Sequence, residues 1–182
     1  MRTEPPAHPA TLPALALLAN ALVWGLSWIA FKALHRHGLH PLWTTALVYG
    51  GALAVLLLWR PGSLAALCRH PHLLALAAAA GATNVGFNWA VTIGDVVRVV
   101  LLFYLMPLWS VGLAWLLLGE RPSRAALLRL ALALAGTALV LWRPGMGLPL
   151  PRGAADGLAL LSGFCFALNN ALLRRWRDTP EG

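Results

Sequence analysis

The chain has 182 residues, of which 59% are hydrophobic and 11% charged, with a mean hydropathy of +0.71. A water-soluble domain carries roughly 25% charged residues, so this chain lacks the polar surface to cover itself, and its first partner is the lipid bilayer. The net charge of +8 does not indicate nucleic acid: the basic residues stand at the ends of apolar runs, which is membrane topology rather than phosphate tracking.

In chain order, Met1 to Thr11 reads as a flexible Pro-rich tail. Leu12 to Leu34 is the first predicted span, uncharged up to Lys32. It is longer than the apolar region of ~7–15 residues in a secretory signal, so it is expected to stay as a helix. Pro41 to Trp59 is the second span, and Arg60 to His72 a polar connection. Leu73 to Gly94, Val96 to Leu118 and Ala125 to Trp142 are the third, fourth and fifth. Arg129, one turn inside the fifth, can snorkel to the headgroups. A loop from Arg143 to Asp156 precedes the sixth span, Gly157 to Leu173. The expected fold is all-α, a polytopic bundle of six transmembrane helices.

The basic residues set the orientation. With a cytoplasmic N-terminus, Arg2, Arg60, Arg69, Arg121, Arg124, Arg129, Arg174, Arg175 and Arg177 lie inside, which is nine of the 14 Lys and Arg. Lys32, Arg36, Arg98, Arg143 and Arg152 lie outside. The positive-inside rule favours that arrangement, and an even number of spans returns the C-terminus to the cytoplasm. Trp43, Trp59, Trp142 and Trp176 fall at span ends and read as interfacial anchors.

The fourth span carries no charge from Val99 to Gly119, enough to cross a hydrocarbon core of ~30 Å. Pro107 near its middle deprives the Phe103 carbonyl of its helical donor and bends the helix. Hydrocarbon tolerates such a defect only beside neighbouring helices or a wet cavity. Asp95 is placed to cap this helix and Gly119 to end it. The turn Glu120-Arg121-Pro122-Ser123 is so short that the fifth span must return antiparallel.

Polar residues inside the spans are few. Ala77, Gly81, Asn84, Asn88 and Thr92 recur at helical spacing and form one stripe on the third span, with Asn84 near the depth of Pro107. The stripe suits either amides that bind a polar solute or hydrogen bonds between helices, worth about 0.6 kcal/mol each. Asn20, Trp24 and Ser27 share a face of the first span, and a mid-depth Trp24 can wall a cavity or serve packing. Tyr49, Tyr104 and Ser110 are further cavity candidates. The expected cavity lies between spans one, three and four.

Charges lie near the membrane edges. Lys32 fits an anion partner or simple snorkelling. Asp95 and Arg98, three residues apart, suit a cap with a local ion pair, or a gate. Glu120 sits at an unfavourable helix C-terminus, with Arg121, Arg124 and Arg129 as expected partners. No carboxylate lies at the midplane, so the usual proton-relay residue of pumps is missing from these spans.

Enzymatic chemistry finds little support. No Gly-rich phosphate loop, HExxH motif or nucleophile elbow occurs in the sequence. Ser162 has no histidine at its depth. His35-x-His37-x-x-His40 and Cys68-x-His70-x-His72 are short and lack a carboxylate, so neither reads as a metal site, and no cofactor is expected. Cys68 in a loop and Cys165 in mid-helix are too far apart in depth for a disulfide.

The stretch LLFYLMPLWSVGLAWLLLGERP resembles the fourth helix of EamA-type transporters of the drug/metabolite transporter superfamily, with Pro107 and Glu120 at the family's mid-helix proline and cytoplasmic glutamate. NALVWGLSWIAFK is similar to the family's first helix, where Trp24-Gly25 matches a Trp-Gly pair. The resemblance implies five helices per repeat and two inverted repeats. The LALL at 15–18 recurs at 158–161, as if a second repeat began there. Residues 12–142 then form a complete first repeat, 143–156 a loop, 157–176 the first helix of a truncated second repeat, and 177–182 a tail. That sixth helix, lacking its family partners, is expected to pack loosely or mediate a homodimer that restores the inverted repeat. The implied function is export of small metabolites or drug-like solutes across the bacterial inner membrane by alternating access. The alternative is a truncated membrane protein that transports nothing and serves a structural or partner-binding role.

Overall fold

The computed structural model describes residues 11–62, 69–142 and 151–176. The helices are α1 (Thr11–Arg36), α2 (Pro41–Trp59), α3 (Pro71–Ile93), α4 (Val96–Phe103), α5 (Met106–Leu118), α6 (Arg124–Leu141) and α7 (Ala154–Arg175). Because α4 and α5 share one apolar run, these segments make six stretches long and apolar enough to cross a membrane, and the described residues include no strand. Most of the predicted tail and the C-terminal tail, Cys68, and the Arg143 to Leu150 part of the predicted loop lie outside the described residues.

Local sequence explains where each helix begins and stops. Proline occupies the first turn of α2 and α3, where a missing N–H costs nothing. The His40 ring accepts from the Leu42 amide, the Asp95 carboxylate from Arg98 N and the Ser123 hydroxyl from Ala126 N. Each satisfies an N-terminal donor that the helix itself cannot. Gly119 ends α5 with φ +69°, a left-handed conformation that glycine adopts without steric cost. Asp156, placed by sequence in a loop, belongs to the first turn of α7, because that helix starts at Ala154.

Pro107 breaks the fourth crossing as expected, and the break lies just before it. Tyr104 N still reaches Val100 O at 2.9 Å, but Leu105 N turns to Leu102 O at 3.2 Å and Leu108 N to Leu105 O at 2.9 Å. These tighter i to i−3 bonds bypass the Phe103 carbonyl, which faces Gly163 on α7. A Cβ on Gly163 would stand 2.8 Å from that oxygen. Only a glycine lets the freed carbonyl press against a neighbouring backbone at this distance.

The sixth crossing therefore does not pack loosely, contrary to the sequence reading. In α7, 39% of the span is buried, the largest share of the six, whereas α6 buries 0%. Ala159, Ser162, Gly163, Ala167 and Ala171 are buried along it. Small residues at these steps let α3, α4 and α5 close on it at backbone distance. Ala159 joins Ala90, Val91, Val99 and Leu102 in one core cluster, and Ala167 and Ala171 join Leu113 in another. Missing family partners misled the expectation, since α7 buries itself against helices of the first five crossings.

Substitutions at these close approaches should show the packing directly. Gly163→Val and Gly86→Val, the latter driving a Cβ into the Ser162 hydroxyl, should each lower the amount of folded protein recovered in mild detergent, by an overpacking cost of about 1–3 kcal/mol. Gly136→Val and Gly157→Val, where an added Cβ meets nothing within 4 Å, should match wild type in the same assay. Truncation after Pro149, which removes α7, should abolish accumulation in the membrane; a stable five-helix product would show that α7 is dispensable.

Candidate functional site

The break between α4 and α5 forms one wall of a cavity of about 610 Å³. From α1 it takes Ala21, Trp24, Gly25 and Trp28, and from α3 Ala80, Thr83, Asn84, Phe87 and Val91. The fourth crossing supplies Val96, Val100, Phe103 and Tyr104, and α7 supplies Phe166 and Asn169. Tyr104 lies roughly 12 Å along the helix from Val96 at 1.5 Å per residue, well inside a hydrocarbon core. The cavity thus adds α7 to the three crossings the sequence indicated.

Six of its lining side chains are aromatic. Trp24 and Phe87 have centroids 6.4 Å apart, Phe87 and Phe103 are edge to face at 4.9 Å, and Phe103 and Phe166 at 5.7 Å. The four rings thereby link α1, α3, α4 and α7 across the cavity, in geometries that aromatic pairs prefer. Trp24 is 44% and Tyr104 55% exposed, so both stand at the rim.

The amide stripe of α3 divides. Asn84 lines the cavity, but its Oδ1 accepts from the Tyr49 hydroxyl at 2.6 Å and its Nδ2 donates to Ala80 O at 2.8 Å. Asn88 is buried away from the cavity, with Nδ2 3.5 Å from Thr45 Oγ1 on α2, and Thr92 Oγ1 donates to Asn88 O. Ala77 and Gly81 are exposed. Of the predicted cavity residues, Trp24, Asn84 and Tyr104 are brought together, while Asn20, Asn88, Pro107 and Ser110 lie off the cavity. Pro107 shapes the site from a distance by displacing Phe103 and Tyr104. Ser27 bonds its own helix at Trp24 O, and Ser162 is fully buried, its hydroxyl on Leu158 O.

Sequence reasoning missed Trp28, Thr83, Phe87, Phe103, Phe166 and Asn169. The signal for α3 was present, since Thr83 and Phe87 sit four apart beside the stripe. For α7 the signal was the Asn169-Asn170 pair, which needed partners in hydrocarbon.

The charges are paired differently from the expectation. Arg98 does not turn to Asp95, whose carboxylate is occupied in capping. Its Nε donates to both oxygens of Asp156 at 2.9 and 3.0 Å and its Nη2 to Oδ2 at 2.8 Å. The Arg152 amide adds a bond to Asp156 at 2.9 Å. A forked guanidinium on a largely buried carboxylate fixes the start of α4 against the start of α7. Lys32 Nζ donates to the Gly94 carbonyl at 2.8 Å, capping α3 from α1. Glu120 pairs at 2.7 Å with Arg174 of α7, not with Arg121, Arg124 or Arg129. That pair is exposed, and such pairs contribute little to stability. At the same end the His72 and Trp176 rings meet at a tilt, with centroids 5.3 Å apart.

Known proteins share much of this sequence. Residues 11–142 match the EamA-like transporter family. An uncharacterized transporter of Pseudomonas aeruginosa is 35% identical over 135 residues, a match that takes in 70% of this chain and 45% of the relative. The matched region thus spans less than half of that relative's length. No solved structure gives a significant match. With more than half of its length matched, the chain belongs to the EamA-like transporter family.

Proposed function

We propose that the chain binds a small metabolite or drug-like solute in the cavity between α1, α3, α4 and α7 and carries it across the bilayer by alternating access. The single observation behind this reading is a ring-lined cavity of about 610 Å³ at the depth of a broken helix. Carriers place their sites where discontinuous helices meet near the midplane. The basic-residue asymmetry favours cytoplasmic termini, and export across a bacterial inner membrane is proposed from the likeness to the EamA-like transporter family alone. A second copy would supply the opposing half of an inverted repeat.

A second reading is a bundle that transports nothing and serves a structural or partner-binding role. The cavity discriminates between the two. Gly25 lines it, and an added Cβ there meets nothing within 4 Å. Gly25→Trp should therefore fill the cavity without disturbing the fold.

In proteoliposomes loaded with a fluorescent drug-like dye or radiolabelled amino acids, Gly25→Trp is expected to accumulate normally and lose flux tenfold or more. Gly112→Trp, off the cavity and equally open, should keep it. Equal flux in wild type and Gly25→Trp would remove the cavity from the pathway, and no flux in wild type would support the second reading.

Orientation is tested separately. In a background free of Cys68 and Cys165, Gly38→Cys should react with an impermeant thiol reagent in intact spheroplasts and Gly62→Cys only after lysis. The reverse pattern would overturn the N-in assignment.

A further inference from the structure

We infer that Asn169 is the residue that recognises the solute, and that the solute is uncharged, an aromatic or apolar body bearing an amide or carbonyl group; this rests on reading the cavity as the solute site. The polar groups of the cavity are not equally available. Asn84 already commits one Oδ1 lone pair to Tyr49 and one Nδ2 hydrogen to Ala80 O, half of its capacity, and the Thr83 hydroxyl donates to Ala79 O. Asn169 lines the same cavity, is half-buried, and makes no side-chain hydrogen bond among the described residues. An amide has two donors and an acceptor, and leaving them idle in hydrocarbon is costly. A bound solute that carries an acceptor oxygen and a donor answers that cost.

The walls define the rest of the solute. Trp24, Phe87, Phe103 and Phe166 offer ring faces and edges, suited to a flat apolar body. The lining includes no Asp, Glu, Lys, Arg or His. An ion would enter without a counter-charge, at a desolvation cost that nothing in the lining offsets. Phe166, one turn before Asn169, stands on the same face of α7, so one helix presents both the ring and the amide.

Three radiolabelled indoles that differ in charge test this: neutral indole-3-acetamide, anionic indole-3-acetate and cationic tryptamine. Equilibrium binding to the chain in proteoliposomes is measured, with protein-free liposomes correcting for partition. Indole-3-acetamide should bind saturably and at least tenfold more tightly than either ion. Asn169→Leu should weaken it about tenfold, whereas Asn170→Leu, at the exposed neighbour, should not. Asn169→Ala serves the same purpose should the leucine variant fail to accumulate. Asn169→Asp should reverse the preference toward tryptamine, a change that loss of a merely structural asparagine would not produce.

Equal binding of the ions would overturn the solute class. Wild-type binding in the Asn169 variants, with loss in Asn84→Leu, would overturn the residue. Absence of saturable indole-3-acetamide binding overturns both, and flux persisting in the same vesicles would show that the transport reading survives without them.

Discussion

A backbone carbonyl that loses its helical donor inside a bilayer must face something other than lipid, and the organisation of this bundle depends on how the Phe103 carbonyl is placed. Exposed to hydrocarbon, such a group costs several kcal/mol. Here it is turned against Gly163, where a side chain would stand 2.8 Å away. Excluding lipid from the oxygen removes most of the need for a donor. The consequence is geometric. The turn at Tyr104 and Leu105 swings Phe103 against Phe87 and Phe166, and the space beside it becomes the cavity. One proline thus determines the position of α7, the ring lattice and the site.

The same dependence explains why α7 is central. A helix rich in Ala, Gly and Ser offers little apolar side-chain area, but in lipid there is no hydrophobic penalty to recover, and close backbone approach counts instead. Ser162 opposite Gly86, Ala155 opposite Gly94 and Gly163 opposite Phe103 are three such approaches, all within about two turns of α7. Polar pairs stand at each end of α7, Arg98 with Asp156 at its start and Glu120 with Arg174 at its finish. The start is the stronger, because its carboxylate is largely buried and accepts a forked donor.

Much of the fold was legible because hydropathy, caps and proline act locally. Six apolar runs, the Asp95 cap, the Gly119 stop and the break at Pro107 all follow from residues within a turn of one another. Pairings between helices did not follow, because sequence gives helix faces but not which helix each face meets. Arg98 had an acid three residues away and another 58 residues away, and local spacing favoured the wrong one. Topology alone held the better clue: alternating crossings put the starts of the fourth and the sixth at one end of the bundle, so Asp156 was within reach of Arg98. For Glu120, likewise, the end of the sixth crossing lay at the same membrane face.

The site shows a subtler limit. Sequence can locate an amide in hydrocarbon, and Asn84 and Asn88 were located in this way. It cannot say whether the amide is already spent. On α3, Tyr49 and Ala80 take half of the Asn84 capacity and Thr45 meets Asn88, so the stripe also joins α2 to α3. Asn169 carries the same side chain and stands across the cavity, yet no such partner meets it among the described residues. The two asparagines differ in the company that folding gives them, and the larger unspent hydrogen-bonding capacity, rather than polarity itself, marks which one is more available to a ligand.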